Sequence, residues 1–213
     1  VYKRQIIDCT VADNNGHGIS CKTGTSPVIR NCLISGNTAD TGAGLDLRNG
    51  NPTIIGCTIE NNVATNNGGG IYFLNDVAEL SNPTIINCTI RSNTAILGGG
   101  AYSLQDTPNI VDSIFQGNTA TNEGGGMFAN GGNITLNHCV FADNSASGRG
   151  GGYMSVFNNT SILNNCLVRA NDCSDAGGGL HFAFNSNATI TDCSIKSNTA
   201  LVIGGGVYFG DDC

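Results

Sequence analysis

Aliphatic and polar positions alternate along this chain in short bursts of three to five residues, and the bursts repeat. Three residues before each position of a recurring Cys-x-(Ile/Val/Phe)-x-x-Asn hexapeptide stand Ile6, Ile29, Ile54, Ile85, Ile110, Leu136, Leu163 and Ile190. Two residues after the cysteine position come Val11, Ile34, Ile59, Ile90, Phe115, Phe141, Val168 and Ile195. A third apolar set, Ile19, Leu45, Ile71, Ala101, Met127, Tyr153, Leu180 and Val207, follows clusters of glycine. Alternation with period two, β-branched residues and bounding Asn, Gly and Pro predict short strands, and no segment carries the 3.6-residue period of a helix.

The glycine clusters, from Gly16/Gly18 to Gly204–Gly206, are spaced by 26, 26, 30, 26, 26, 27 and 27 residues. A unit of that length cannot bury its own apolar face and must stack on its neighbours. Seven cysteines, Cys9, Cys32, Cys57, Cys88, Cys139, Cys166 and Cys193, are each followed five residues on by an asparagine, and Ser113 with Asn118 keeps the frame where the cysteine is missing. Eight units with three short strands each predict an all-β, right-handed, single-stranded parallel β-helix, a solenoid of about 26 residues per coil. One such domain spans 1–213, read as a segment or subunit of a longer rod, with eight coils giving a length of about 40 Å.

In that frame Asn37, Asn62, Asn93, Asn118, Asn144, Asn171 and Asn198 form an internal ladder at a tight turn, where amides bond from coil to coil. The glycines are expected to turn with positive φ and to lie close to the next coil. The cysteine column is expected to be a stack of buried thiols, because in-register parallel side chains keep their Cβ atoms too far apart for bridging. Cys173 and Cys213 fall outside the column and are the candidates for surface disulfides. No local Cys/His set has zinc-ligand spacing, so no metal site is expected. The sole cofactor considered is calcium on acidic turns such as Asp211–Asp212.

Composition narrows the function classes. Charged residues make up 12% and the net charge is −7, which argues against nucleic acid or an anionic membrane as partner. No apolar run approaches the roughly 20 residues of a membrane-spanning helix. Of five Asn-x-Ser/Thr sequons, Asn133, Asn158, Asn159 and Asn187 are candidate glycosylation sites at outer turns, and Asn87, read as lying inside the coil, is expected to be a poor acceptor. Outward positions give no stacked pair of carboxylates of the kind glycoside hydrolysis needs. The longest insertion, 74–81, carries Asp76 and Glu79 and is the one place a pair could arise. No catalytic residue is assigned.

Between the two inward positions of the strand after the glycines, one outward column reads Tyr72, Tyr102, Phe128, Met154, His181 and Tyr208. Such a stripe is expected to bind sugar rings or a second surface, or else to stack on itself under neighbouring turns. Joining Cys213 to Val1 of an identical unit would give a cysteine step of 29 residues, within the range seen inside the chain. Head-to-tail stacking with other copies is therefore the expected partnership.

The units Ile34-Ser-Gly-Asn37, Phe115-Gln-Gly-Asn118 and Phe141-Ala-Asp-Asn144, each followed by a glycine cluster and an apolar residue, resemble the Phe-x-x-Asn and Gly-Gly-Ala-Ile repeats of polymorphic outer-membrane autotransporter adhesins. Gly-Gly-Gly dominates here in place of Gly-Gly-Ala. The resemblance implies an extracellular or cell-surface protein with an adhesive or structural role, and carbohydrate or a cell-surface protein as partner. The rival expectation is a polysaccharide-binding or pectate-lyase-like enzyme on the same fold, which fold alone does not decide.

Overall fold

In the computed structural model, which describes residues 4–76, 81–210 and 213, the chain winds through eight coils and forms no helix among the described residues. Each full coil has four short strands, one more than the sequence pattern predicted. In the fourth coil they are Thr84–Ile86, Thr89–Arg91, Thr94–Leu97 and Ala101–Leu104. Equivalent strands pair in parallel with the coils above and below, giving four sheets of eight, eight, seven and eight strands among the described residues.

The extra strand follows the ladder asparagine. It was missed because it has one inward residue per coil, the small Ala39, Ala64, Ala95, Ala120, Ala146, Cys173 or Ala200, where a strand normally advertises itself with branched side chains. Those small side chains let this strand lie against the glycines of the preceding coil. A Cβ on Gly125 would stand 2.4 Å from the carbonyl oxygens of both Ser145 and Gly151. The strand and the glycine run thus form a fin projecting from the coil, and its tip is turned by the first glycine of each cluster, as at Gly98 with φ of 64°.

Register is exact to the residue along the core columns. Ile54 pairs with Ile85 and Ile85 with Ile110, and Ile59, Ile90 and Phe115 follow suit on the second sheet. These side chains are fully buried in one continuous interior cluster. Phe115 and Phe141 stack there with centroids 4.7 Å apart and planes within 3°. Two corners of each coil need a left-handed residue. Asp8, Asn31, Gly56, Asn87, Asp112, His138, Asn165 and Asp192 hold one, with φ between 50° and 61°. Asn, Asp and Gly pay least for that conformation, which accounts for their abundance before the cysteine position.

Candidate functional site

The asparagine ladder is realised in full from Asn37 to Asn198. Asn93 donates from its backbone N–H to Asn118 Oδ1 at 3.0 Å, and its Nδ2 donates to the same oxygen at 3.1 Å and to Ile59 O at 2.9 Å. The pattern repeats at Asn62, Asn118, Asn144 and Asn171. Each asparagine donates to the asparagine of the C-terminal coil and accepts from that of the N-terminal one, while a second amide proton returns to a backbone carbonyl of the N-terminal coil, so the asparagine-to-asparagine ladder has a direction. The cysteine column has the same polarity, Cys57 N–H donating to Cys88 Sγ at 3.4 Å. The Cys57 thiol and burial push the Cys88 thiol well up, while the same thiol–thiol bond lowers that of Cys57, so the column does not titrate as a set of equal thiols.

All ten cysteines are free. The disulfide expectation for Cys173 and Cys213 is corrected: Cys173 is buried in the fin with Ala120, Ala146 and Ala200, where nothing from the surface reaches it, and exposed Cys213 lies 3.8 Å from Ser186 Oγ. Of the four candidate sequons, Asn133, Asn158 and Asn187 are exposed. Asn159 is not an acceptor. It is fully buried, donates from Nδ2 to Gly131 O at 2.8 Å and accepts from Ser155 and Ser161 hydroxyls. Asp76 is bound by Asn49 Nδ2 at 2.7 Å, whereas Glu79, Asp211 and Asp212 lie outside the described residues.

The outer column is assembled as predicted but is not an exposed stripe. Tyr72, Tyr102, Phe128, Met154 and His181 are 6%, 5%, 4%, 1% and 1% accessible. The outward residue of this strand lies against the fin, its Cβ close enough to the tip glycine that a methyl there would clash, as between Gly124 and Phe128. Leu74, Leu97 and Leu104 pack around the aromatic rings from both sides. The rings also stack, Tyr72 on Tyr102 at 5.6 Å and Tyr102 on Phe128 at 5.3 Å. The column is a second, minor core in a groove between the fin and the turns that end each coil.

The two ends of that groove differ. At the N-terminal end Asp46, 1% accessible, accepts from Arg48 Nε at 2.7 Å and from Ser20 Oγ at 3.1 Å, and the Arg48 guanidinium lies 5.2 Å from the Tyr72 centroid. A compensated ion pair closes this end. At the C-terminal end the groove opens into a cleft of about 230 Å³ between the fin residues Arg149, Asp175, Ala176 and Ile203, the column residues His181 and Tyr208, and Phe184. Arg149 Nε donates to Asp175 at 2.7 Å. That bond raises the guanidinium pKa further, with the Glu123 charge adding to it.

His181 carries the local chemistry. Its Nδ1 lies 3.1 Å from Ala176 O, an acceptor, so Nδ1 holds the proton and Nε2 is a bare lone pair. Burial lowers its pKa and keeps the ring neutral. Nε2 is buried without a hydrogen-bond partner. Beside it Phe184 is 45% accessible and stacks on Phe157, itself 50% accessible, at 5.0 Å. Sequence reasoning passed over this pair, Arg149 and Asp175. The signal was present for the phenylalanines: equivalent turn positions hold Asn49, Gln105 and Gly131, all left-handed types or tolerant ones, and only two coils place phenylalanine there.

Residues 3–81 and 76–213 match the model of the right handed beta helix region, and the chain belongs to that family. The match agrees with the parallel four-sheet winding seen in the coordinates. No curated protein and no solved structure matches the chain.

Proposed function

We propose that the protein is an extracellular or cell-surface rod element of structural and adhesive character, extended head to tail by further coils. The observation that carries this reading is the polarity of the ladders. At the C-terminal side Asn198 accepts from Asn171 and returns one amide proton to Val168 O of the preceding coil, so that its backbone N–H and second amide proton are the donors the frame offers onward; at the N-terminal side Asn14 donates to Asn37, and its Oδ1 is the acceptor of the frame. The two faces are complementary, one offering donors and the other an acceptor, in the same frame as every internal step.

Apolar surface supports the same extension. Leu201, Val202 and Ile203 in the last fin are 75%, 72% and 53% accessible, where the fin one coil earlier carries Ser174, Asp175 and Ala176. At the other face Ile6, Ile19 and Cys21 line a cleft of about 280 Å³. A coil stacked on either face would cover these groups and pair the strand edges. The cell-surface placement rests on the likeness of the repeat to autotransporter adhesins. A non-catalytic role is supported by the ion pairs that hold three of the acids, Asp46 on Arg48, Glu60 on Arg91 and Asp175 on Arg149.

Sedimentation across a concentration series, with electron microscopy of the same samples, tests the extension. Rods whose length grows in eight-coil steps, and which are lost when Leu201 and Val202 are both replaced by lysine, are the expected result. A monomer at millimolar concentration, or assembly indifferent to that double change, overturns it.

A further inference from the structure

The C-terminal cleft differs from the rest of the groove in a way that the rod does not require. Along coils four and five the outer column fills its own space by stacking, whereas beyond Met154 the floor is His181 and Tyr208, with centroids 5.0 Å apart, and the cleft remains open. Phe184 lines it and Phe157 stacks on Phe184, the two having φ of 56° and 55°, each followed by a second left-handed residue, Asn185 or Asn158. A bulky side chain held there costs about 1–3 kcal/mol. A turn that served only to close the coil has a cheaper solution, and Gly131–Gly132 one coil earlier is that solution. The cost has instead placed two parallel, half-exposed rings beside a cleft.

We propose that this cleft binds a neutral saccharide, one sugar ring stacking on Phe184, which Phe157 backs by stacking on it in turn, while its hydroxyls bond to Arg149, Asp175, Tyr208 and His181. Three observations select that ligand class. At about 230 Å³ the cleft falls below the roughly 300–1,000 Å³ of sites for drug-sized ligands, and it suits a single ring of a longer chain. The Arg149 charge is already answered by Asp175 with Glu123 nearby, so an anionic ring gains no free cation and meets two carboxylates. Finally, His181 offers an acceptor with no donor, and a buried acceptor left unpaired costs about 1–3 kcal/mol. The His181 Nε2 is closed to solvent, so a hydroxyl satisfies it where a small shift of the cleft floor opens it. Sugar hydroxyls both donate and accept, which matches a mixed set of guanidinium, carboxylate, phenol and imidazole, and the face of the ring matches the aromatic platform.

This inference deepens the adhesive half of the reading above, and its test is run on protein dilute enough to be monomeric, so that it is judged apart from rod extension. Neutral oligosaccharides built on glucose, mannose, galactose and N-acetylglucosamine, with oligouronates beside them, are titrated by calorimetry and by shifts of aromatic proton resonances. Binding of at least one neutral series is expected, weakened tenfold or more by Phe184→Ala and several-fold by His181→Phe, which keeps the ring and removes the acceptor. Arg91→Ala, on the second sheet, leaves it unchanged. Because Phe184 is half exposed, its removal leaves the fold intact, and unchanged melting of the variant confirms that. No binding by any neutral series, binding of oligouronates alone, or full binding by Phe184→Ala overturns the proposal.

Discussion

The inner asparagine ladder and the outer aromatic column are both built from one side chain per coil in strict register, yet they hold the molecule together by different means. Inside, Asn62 through Asn144 are wholly buried and every amide is satisfied by the backbone or by the next asparagine. Outside, Tyr72 to Met154 are shielded by the fin and touch through ring faces and methyls. A hydrogen-bonded column admits one residue type, because any replacement strands partners on two coils. A dispersion-held column admits Tyr, Phe, Met or His, as the sequence of this one demonstrates. Variation along an outer column can therefore serve binding, and variation along the ladder cannot.

The largest effect is expected from Asn118→Ala. It removes the acceptor for Asn93 N–H and Nδ2 and the donors to Ile90 O and Asn144 Oδ1, all in the interior. With about 1–3 kcal/mol for each group left unpaired, the loss should be about 4 kcal/mol or more in urea denaturation. Phe128→Ala should cost less, about 2–3 kcal/mol, below the ~3–5 kcal/mol of a phenylalanine deleted from a closed core, because the groove lies near solvent and the gap can be hydrated or filled by Tyr102 and Met154. Equal losses in the two variants would break the distinction between the columns.

A pH titration sharpens it further. The ladder contains only amides, so it contributes no pH dependence between pH 4 and 8. Asp106, by contrast, lies buried at the turn after the outer column, where burial pushes its pKa up to about 6 despite bonds from Thr107 N–H and Ser81 Oγ. A carboxyl whose folded pKa exceeds its unfolded value binds its proton more tightly in the folded protein. Stability is then greater at low pH and falls as pH rises from about 4 to about 6. The decline should be about 1–2 kcal/mol and should vanish in Asp106→Asn, read from melting at pH 4 and pH 7.

What the sequence disclosed and what it hid follow the same division. Columns built from repeated letters were legible, because Ile54 over Ile85 or Asn62 over Asn93 needs only a constant offset. The fin was not, since Ala64 and Ala95 signal no strand until the close approach of the Thr94 and Thr119 carbonyls to Gly69 and Gly99 is seen. Missing the fin made the aromatic column look exposed. The C-terminal cleft was hidden for another reason: Arg149, Asp175 and Phe184 belong to different positions of successive coils, and no single offset gathers them.

The smallest effect is expected in the cysteine column, and it separates a column that requires its residue from one that merely accommodates it. Cys57 Sγ accepts from Cys32 N–H at 3.4 Å and donates to Ile55 O at 3.4 Å, ordinary lengths for sulfur, which is a weak donor and acceptor. The chain already holds the substitution that tests this. Ser113 occupies the same place, fully buried, accepting from Cys88 N–H at 3.1 Å and donating to Val111 O at 2.8 Å. A serine hydroxyl therefore fits the corner and keeps both bonds, at the loss of sulfur's dispersion and its ease of burial. Cys57→Ser should destabilise by less than about 1 kcal/mol, whereas Cys57→Ala, which leaves Cys32 N–H without an acceptor, should cost about 1–2 kcal/mol. If serine proves as costly as the asparagine deletion, the thiols are structural in their own right, and the column must be ranked with the ladder.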